Sequence, residues 1–401
     1  MTSDVIMAWV AELRPRYRAA NDKEKSIILD EFCKTTGYHR KSAIRLMNRQ
    51  PKQGPTKRRG RPPIYRGGEF MSALLLVWEG SGFVCGQYLH PAMPQLIERM
   101  EACGELMLSS ELRERLLAVS GAVIDRLLKS HKAARRETGQ IGNRLVSDLR
   151  NKIAAHTFAD LRNLELGHME IDLVLHCGMS TADFYLTTLV AVDTATSWTE
   201  CIPVWGKGKE RVAGSVARLK RQVPFALAGL HNDNGSEFIN DILYAFCEKE
   251  KLAFSHGRVH HSNDQPRVEQ RNGSIVRRLI GYGRYSTRKA YDQLDLIYSL
   301  VRLQANFLRP TAKLVYRERQ GGKEIKRYDR PSTPYQRLLA TQGLTDDERA
   351  RLVAQYQTIS PLKLQREIGA AIEKLWQIET PDPASERAQR LRRRVEEAQS
   401  E

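Results

Sequence analysis

The stretch LGHMEIDLVLHCG, residues 166 to 178, decides how the middle of the chain folds. It is rich in Ile, Leu and Val and is bounded by polar breaks, so it reads as a strand. Asp172 stands inside it between Ile171 and Leu173. A charge there is costly unless it is paired or bound to a cation. Two more strands follow, in ADFYLTTLVAVDTATSW (182 to 198) and TECIPVW (199 to 205). The pattern then alternates. KERVAGSVARLKRQV (209 to 223) reads as a helix, FALAGLHND (225 to 233) as a buried strand, and INDILYAFCEKEK (239 to 251) and QPRVEQRNGSIVRRLIG (265 to 281) as helices. Three consecutive strands followed by alternating helix and strand predict a mixed sheet flanked by helices.

The buried run before Asp233 ends in HNDNGSEF, residues 231 to 238. Asn and Gly beside Asp suit a tight turn; a carboxylate held at a strand tip to bind a metal is the sharper reading. A third acid, Glu269, lies on a helix whose Val268, Ile275 and Leu279 form an apolar stripe, and 35 residues separate it from Asp233. Together EID (170 to 172), HNDNGSEF and NDQPRVEQRN (263 to 272) resemble the three blocks of the retroviral-integrase-type core, the D,D-35-E arrangement of bacterial insertion-sequence transposases. The motifs cover about residues 164 to 285. Retroviral integrases also begin with a His-His-Cys-Cys zinc module, whereas the N-terminal region here offers Cys33 and His39, so the resemblance is to the bacterial enzymes.

That resemblance implies a ribonuclease H-like α/β core in which Asp172, Asp233 and Glu269 are both the catalytic and the metal-holding residues. It implies Mg²⁺, with Mn²⁺ as a substitute, as two ions once DNA is bound. Mg²⁺ prefers carboxylate and phosphate oxygens and keeps several waters, and a pair of such ions stabilises the attacking and leaving oxygens of an in-line displacement at phosphorus. Asp172 would bridge both ions, with Asp233 and Glu269 each completing one side. Water as nucleophile gives a 3′-hydroxyl at the element end, and that hydroxyl then attacks target DNA.

The neighbours of the three acids carry two readings each. Asn234, Gly235 and Glu237 shape the turn after Asp233, and Asn263, Gln265 and Asn272 offer amides for DNA or for support, with capping as the plainer role. Gly273, one turn beyond Glu269, leaves room for a phosphate. Arg267, Arg271 and Arg278 line another face, and Arg271, Arg277 and Arg278 are expected to follow DNA. His260 and His261 are expected at the backbone of DNA and not at a metal. Asp193 is expected to form a turn.

The formal charge of +17 and a pI near 9.7 point to a polyanionic partner. The longest apolar run, FMSALLLVW at 70 to 78, is broken by Glu79 and is too short to span a bilayer. With no cleavable signal pattern the chain reads as cytoplasmic, and the resemblance to the transposases implies a bacterial, nucleoid-associated protein. The six cysteines, at 33, 85, 103, 177, 201 and 247, form no CxxC pair and read as free buried thiols.

Ahead of the core, KEKSIILDEFCK (23 to 34), a turn at Gly37 and RKSAIRLMNRQ (40 to 50) have the layout of a helix-turn-helix. Ile27, Ile28 and Phe32 make the apolar face of the first helix. On the second, Lys41, Arg45 and Arg49 recur every four residues opposite Ala43, Ile44 and Met47, which suits DNA phosphates or a solvated face. Arg40 to Arg66 holds ten Lys or Arg and no acid. Its centre RRGRPP resembles an AT-hook, with Arg58, Arg59 and Arg61 as minor-groove or phosphate contacts.

The expected domains are therefore a helix-turn-helix (1–50), a basic linker (51–67), a second helical DNA-binding domain (68–140) and the catalytic core (160–300). A β-hairpin and helical domain (308–380) and a charged helical tail (381–401) follow. KLVYRERQGGKEIKRYD (313 to 329) reads as a basic hairpin around Gly-Gly, and 346 to 377 and 383 to 399 read as helices. The expected partners are double-stranded DNA, as terminal inverted repeats and as target, and further copies of the chain in a multimer, with no membrane. The alternatives are a catalytically silent, transposase-derived DNA-binding regulator, or a ribonuclease H-type nuclease without strand transfer.

Overall fold

The computed structural model describes residues 3–49, 65, 67–132, 165–232, 238, 240–256, 266–320 and 323–383. It divides into two units, Met1–Ile64 and Tyr65–Glu401.

Among its described residues the first unit holds three helices, α1 (Ser3–Ala19), α2 (Asp22–Thr36) and α3 (Arg40–Asn48). A capping box starts α2: the Asn21 side chain accepts from the Glu24 amide and the Glu24 side chain accepts from the Asn21 amide. Gly37 ends it in the left-handed region, at φ 75°, which glycine enters without steric cost. The three helices close over Val10, Phe32, Ala43 and Met47, all fully buried. Ile27 was expected in that core and is instead exposed; Leu29 fills the place beside Ile28 and Phe32. Lys41, Arg45 and Arg49 are exposed on the side of α3 away from Ala43 and Met47.

The second unit opens with α4 (Gly68–Gly80), α5 (Gly86–Ala102), α6 (Ser110–Ala118) and α7 (Gly121–Leu127). Five strands follow: β1 (His168–Leu175), β2 (Thr187–Asp193), β3 (Thr199–Val204), β4 (Gly229–Asn232) and β5 (Ala253–His256). Their order across the sheet is β3-β2-β1-β4-β5. β2 runs antiparallel to both β1 and β3, while β1, β4 and β5 run parallel. The parallel strands need crossovers, which α8 (Lys209–Gln222) and α9 (Asp241–Lys249) supply. This is the mixed, helix-flanked sheet expected from the alternation of apolar runs.

Next come α10 (Pro266–Arg271), prolonged by a π-helical turn over Asn272–Arg277, and α11 (Arg288–Leu303), prolonged likewise over Gln304–Leu308. The hairpin β6 (Leu314–Gln320) and β7 (Lys323–Tyr328) is antiparallel and matches its expected place. Helices α12 (Pro334–Leu339), α13 (Asp346–Thr358) and α14 (Pro361–Trp376) complete the described chain. The single helix expected over 346 to 377 is two, because Pro361 lacks an N–H and disfavours helical geometry in the residue before it.

The helical segment that begins the second unit shares one apolar core with the sheet and with α14. Polar contacts reinforce the join. The Glu105 carboxylate accepts from the amides of Leu362 at 3.1 Å and Lys363 at 3.0 Å, capping α14, and Arg99 Nε donates to the Ile359 carbonyl at 2.7 Å. Tail residues 384 to 399 lie outside the described residues.

Candidate functional site

Side chains alternate along a strand, so Glu170 and Asp172 share one face of β1 while Met169, Ile171 and Leu173 share the other. The strands β1 to β3 carry four acids: Glu170, Asp172, Asp193 and Glu200. Three are buried and held by strong donors. Asp193 accepts from the amides of Gly167 (2.9 Å) and Thr196 (2.7 Å) and from the Thr196 hydroxyl (2.6 Å), which makes it the turn former expected. Glu200 accepts from Trp198 Nε1 (2.7 Å), Arg302 Nε (2.7 Å) and Gln222 Nε2 (2.8 Å). Asp172 is the one of the four that reaches solvent.

Glu170 fixes the helix that carries Glu269. Its carboxylate accepts from the backbone amides of Arg267 and Val268, both at 3.0 Å, and from Arg267 Nη1 at 2.6 Å. These amides belong to the first turn of α10, where helical partners are lacking and negative charge is favoured. Burial pushes the Glu170 carboxyl above its ordinary range, and Arg267 and the two amides pull it back. Arg267 was expected on a DNA-facing or solvated surface. Its side chain is 13% exposed, and its role is to close this ion pair.

With α10 pinned at its start, the next turn meets Asp172. Asn272 Nδ2 donates to Asp172 Oδ2 at 2.5 Å, and the Leu173 amide donates to Asp172 Oδ1 at 2.7 Å. Asn272 Oδ1 is sealed from water and has no hydrogen-bond partner among the described residues. Asn272 comes three residues after Glu269, so both lie on neighbouring ground of the helix surface. Val268 and Ile275, one turn to either side of Asn272, are buried, and Glu269 is exposed. The change to π-helix falls at Asn272, the contact with the strand acid, and such turns recur at functional sites. Gly273 is exposed with open space where a side chain would stand.

The remaining expected residues fall into three sets. Asp233, Asn234, Gly235, Glu237, His260, His261, Asn263, Gln265, Arg58, Arg59 and Arg61 lie outside the described residues. Arg278 is exposed, while Arg277 is partly buried with its guanidinium 4.7 Å from the centre of the Tyr282 ring. Arg271, expected on a DNA-facing surface, is 7% exposed. The alternation Glu170-Ile171-Asp172 was the one sequence signal for the Glu170 contact, because it puts both acids on one strand face.

The cysteines were all expected to be buried; Cys201 and Cys247 are, and the other four are partly exposed. Among the described residues no helix is long and apolar enough to cross a membrane.

Fold and site together define a mixed-sheet α/β protein that brings a solvent-reaching strand aspartate against a helix carrying an exposed glutamate. The chain belongs to the same family as the uncharacterized protein y4rM of Sinorhizobium fredii, to which it is 38% identical over 322 residues, spanning 80% of this chain and 91% of that protein. No protein-family model matches it. Among solved structures it is similar to the catalytic core domain of BIV integrase, at 18% identity and a TM-score of 0.28, over 42% of this chain and 91% of that one.

Proposed function

We propose that the chain is a DNA transposase that binds the ends of its element and cleaves and joins strands at Asp172, Asp233 and Glu269. One observation carries the reading: Asp172 and the Glu269 helix are locked together by Asn272 on one side and Glu170 on the other. Asp233 follows Asn232 by one peptide bond, and Asn232 pairs with Ile171, the residue before Asp172. The strand order supports a ribonuclease H-like core, as does the three-block motif.

The donor set fits Mg²⁺ in kind. Asp172 presents hard carboxylate oxygens, and its side chain reaches solvent. Asp172, Asp233 and Glu269 would hold the ions, which when bound offset charge on the attacking and leaving oxygens at phosphorus. The chain's own work is positional. Glu170 and Arg267 set the depth of α10, Asn272 orients the Asp172 carboxylate, and Gly273 leaves a strand of DNA room to approach. The surplus of basic residues, with Lys41, Arg45 and Arg49 on an exposed face of α3, supports DNA as the partner and the first unit as an end-binding helix-turn-helix.

The test is incubation of the protein with DNA from the flanks of its own gene and Mg²⁺ or Mn²⁺, with mapping of nicked and joined products. Asp172→Asn, Asp233→Asn and Glu269→Gln are each expected to abolish both products while end binding persists. Binding is expected to fall steeply with salt through counterion release. Specific end binding by a wild-type chain that yields no product under either metal would leave the silent regulator as the answer. Normal joining by Asp172→Asn would remove the site.

A further inference from the structure

The proposed reaction gives no task to the hairpin β6–β7. Its strands pair with each other, and among the described residues no third strand joins them. A lone two-stranded ribbon is marginal in water, and this one is held by its root. The Lys313 amide donates to Asp329 Oδ1 at 2.7 Å and the Asp329 amide to the Lys313 carbonyl at 2.9 Å. Arg337, on α12, donates Nη1 to Asp329 Oδ2 at 2.5 Å and Nη2 to the Thr311 carbonyl at 2.8 Å. Lys313 Nζ donates to the Ala195 carbonyl, in the turn between β2 and β3, at 2.5 Å. The ribbon is thus fixed at its base to the core sheet and to a helix.

Beyond the root, side chains on both faces reach water. Tyr316 pairs across the ribbon with Arg327, and the Arg327 guanidinium lies 5.4 Å from the centre of the Tyr316 ring. Neighbours along a strand point to opposite faces, so Lys326 and Tyr328 share the other one. Tyr316 and Tyr328 are 41% and 56% exposed, and Lys326 and Arg327 are exposed as well. Each face of the ribbon therefore presents one tyrosine and one cation. The span Leu314–Tyr328 holds five Lys or Arg against two Glu, and one of these, Glu318, accepts from the Tyr316 hydroxyl. Such a surface suits a polyanion. Pairing of a free edge with a second copy is disfavoured by the irregularity between Leu314 and Tyr316 and by the charged residues along β7.

We propose that β6–β7 is a DNA arm that enters the major groove edge-first, with Arg327 toward one phosphate wall and Lys326 toward the other. The arm rests on the geometry above; DNA as its occupant rests also on the transposase reading. A flat partner would meet one face of the ribbon, whereas a groove has two charged walls and meets both. The sizes agree: a sheet layer with its side chains is about 10 Å thick, and the major groove is about 12 Å wide. Tyrosine hydroxyls, lysine and arginine bind phosphate and sugar without reading sequence, so the arm is expected to grip any duplex. Its place suits the core. Ala195 comes two residues after Asp193, which pairs with Met169, three residues before Asp172 on β1. The root is thus anchored beside the strand end roughly 10 Å from Asp172, against a length of about 23 Å for β6, and a duplex engaged at Asp172 lies within the arm's reach.

The test is metal-free duplex binding by the full chain across a salt series, for wild type, Lys326→Ala, Arg327→Ala, the double variant and Tyr328→Ala. Each single cation variant is expected to lower the slope of log affinity against log salt by about one unit and the double variant by about two, one for each phosphate contact. Tyr328→Ala is expected to weaken binding and leave the slope as it is, because it removes no charge. All three side chains are exposed, so melting temperatures are expected to stay at the wild-type value. Tyr328→Ala keeps the test open if a charge variant fails to fold. Wild-type slope and affinity in every variant overturn the arm. A changed slope in only one single variant overturns the groove, since one face alone would then be used. Loss of self-association in sedimentation, with slopes unchanged, overturns DNA and makes the ribbon a contact between copies. The transposase reading fails separately: a wild type that grips duplex through the arm and yields no nicked or joined product with Mg²⁺ or Mn²⁺ removes the reaction and keeps the arm.

Discussion

Asn272 Nδ2 sits 2.5 Å from Asp172 Oδ2, a hydrogen bond that ties the turn after Glu269 to the central strand across 100 positions of sequence. It holds one carboxylate oxygen in place by a neutral donor. Asn272→Ala is expected to lower DNA cleavage about 10- to 100-fold, the range found when the partner of a metal-binding carboxylate is lost, with end binding and melting temperature little changed. Asn272→Asp is expected to be worse, because it sets a like charge against Asp172. Cleavage rates for the two variants beside wild type check this, and equal rates in all three would reduce Asn272 to a helix residue.

The Glu170–Arg267 pair is expected to matter for folding and site alike. Glu170→Ala leaves a largely buried guanidinium and two helix-start amides without their acceptor. Breaking one side of a buried pair costs about 3–5 kcal/mol. Arg267→Met removes the guanidinium but leaves Glu170 its two amides, so it is expected to cost less. Urea midpoints of the two variants compare the losses, and a Glu170→Ala protein of wild-type stability would contradict the clamp.

What the sequence made legible follows the reach of its signals. The alternation of apolar runs with Gly- and Asn-bearing turns placed β1 to β4 in order, because strand and turn preferences act within a few residues; the four-residue β5 (Ala253–His256) was not read. Asp172 stood out because a charge between Ile171 and Leu173 violates the local pattern. The partners of that strand were beyond such reading. Glu170 meets Arg267 across 97 positions, and no local pattern encodes it. Arg271 was read as exposed from a helix wheel of fixed pitch, without the contacts that cover it. The two π turns, at Asn272–Arg277 and Gln304–Leu308, depart from that pitch altogether.

Gly86 and Gly121 begin α5 and α7, and their backbones touch. A Cβ on Gly121 would meet the Gly86 carbonyl at 2.6 Å, and one on Gly86 would meet the Gly121 carbonyl at 2.1 Å. Asp125, one turn into α7, accepts from the Gly86 amide at 2.8 Å and so requires the close approach. Alanine would gain up to about 1 kcal/mol in helix propensity inside a helix, and less at a helix start. Overpacking against backbone costs about 1–3 kcal/mol. Gly121→Ala is expected to destabilise on balance. A variant that melts higher than wild type would mean that propensity wins and the contact is loose.

His176 is expected to make the protein sensitive to mild acid. Its ring is fully buried; Nε2 lies 2.7 Å from the Thr188 hydroxyl, which lies 2.7 Å from the Tyr298 hydroxyl, while Nδ1 has no partner among the described residues. A second proton would land on that unpartnered nitrogen, away from water and near the charge of Arg277, so the imidazole is pushed down from 6.5 to about 3. The unfolded chain therefore binds the proton first. The stability tied to the neutral ring is fully present above pH 6.5 and drains away as pH falls toward 3, at up to about 1.4 kcal/mol per unit. His176→Gln keeps a donor for Thr188 and cannot titrate. Its urea midpoint is expected to lie below wild type at pH 8 and to fall less between pH 6.5 and 5. Parallel losses in variant and wild type over that interval would assign the acid sensitivity to other groups.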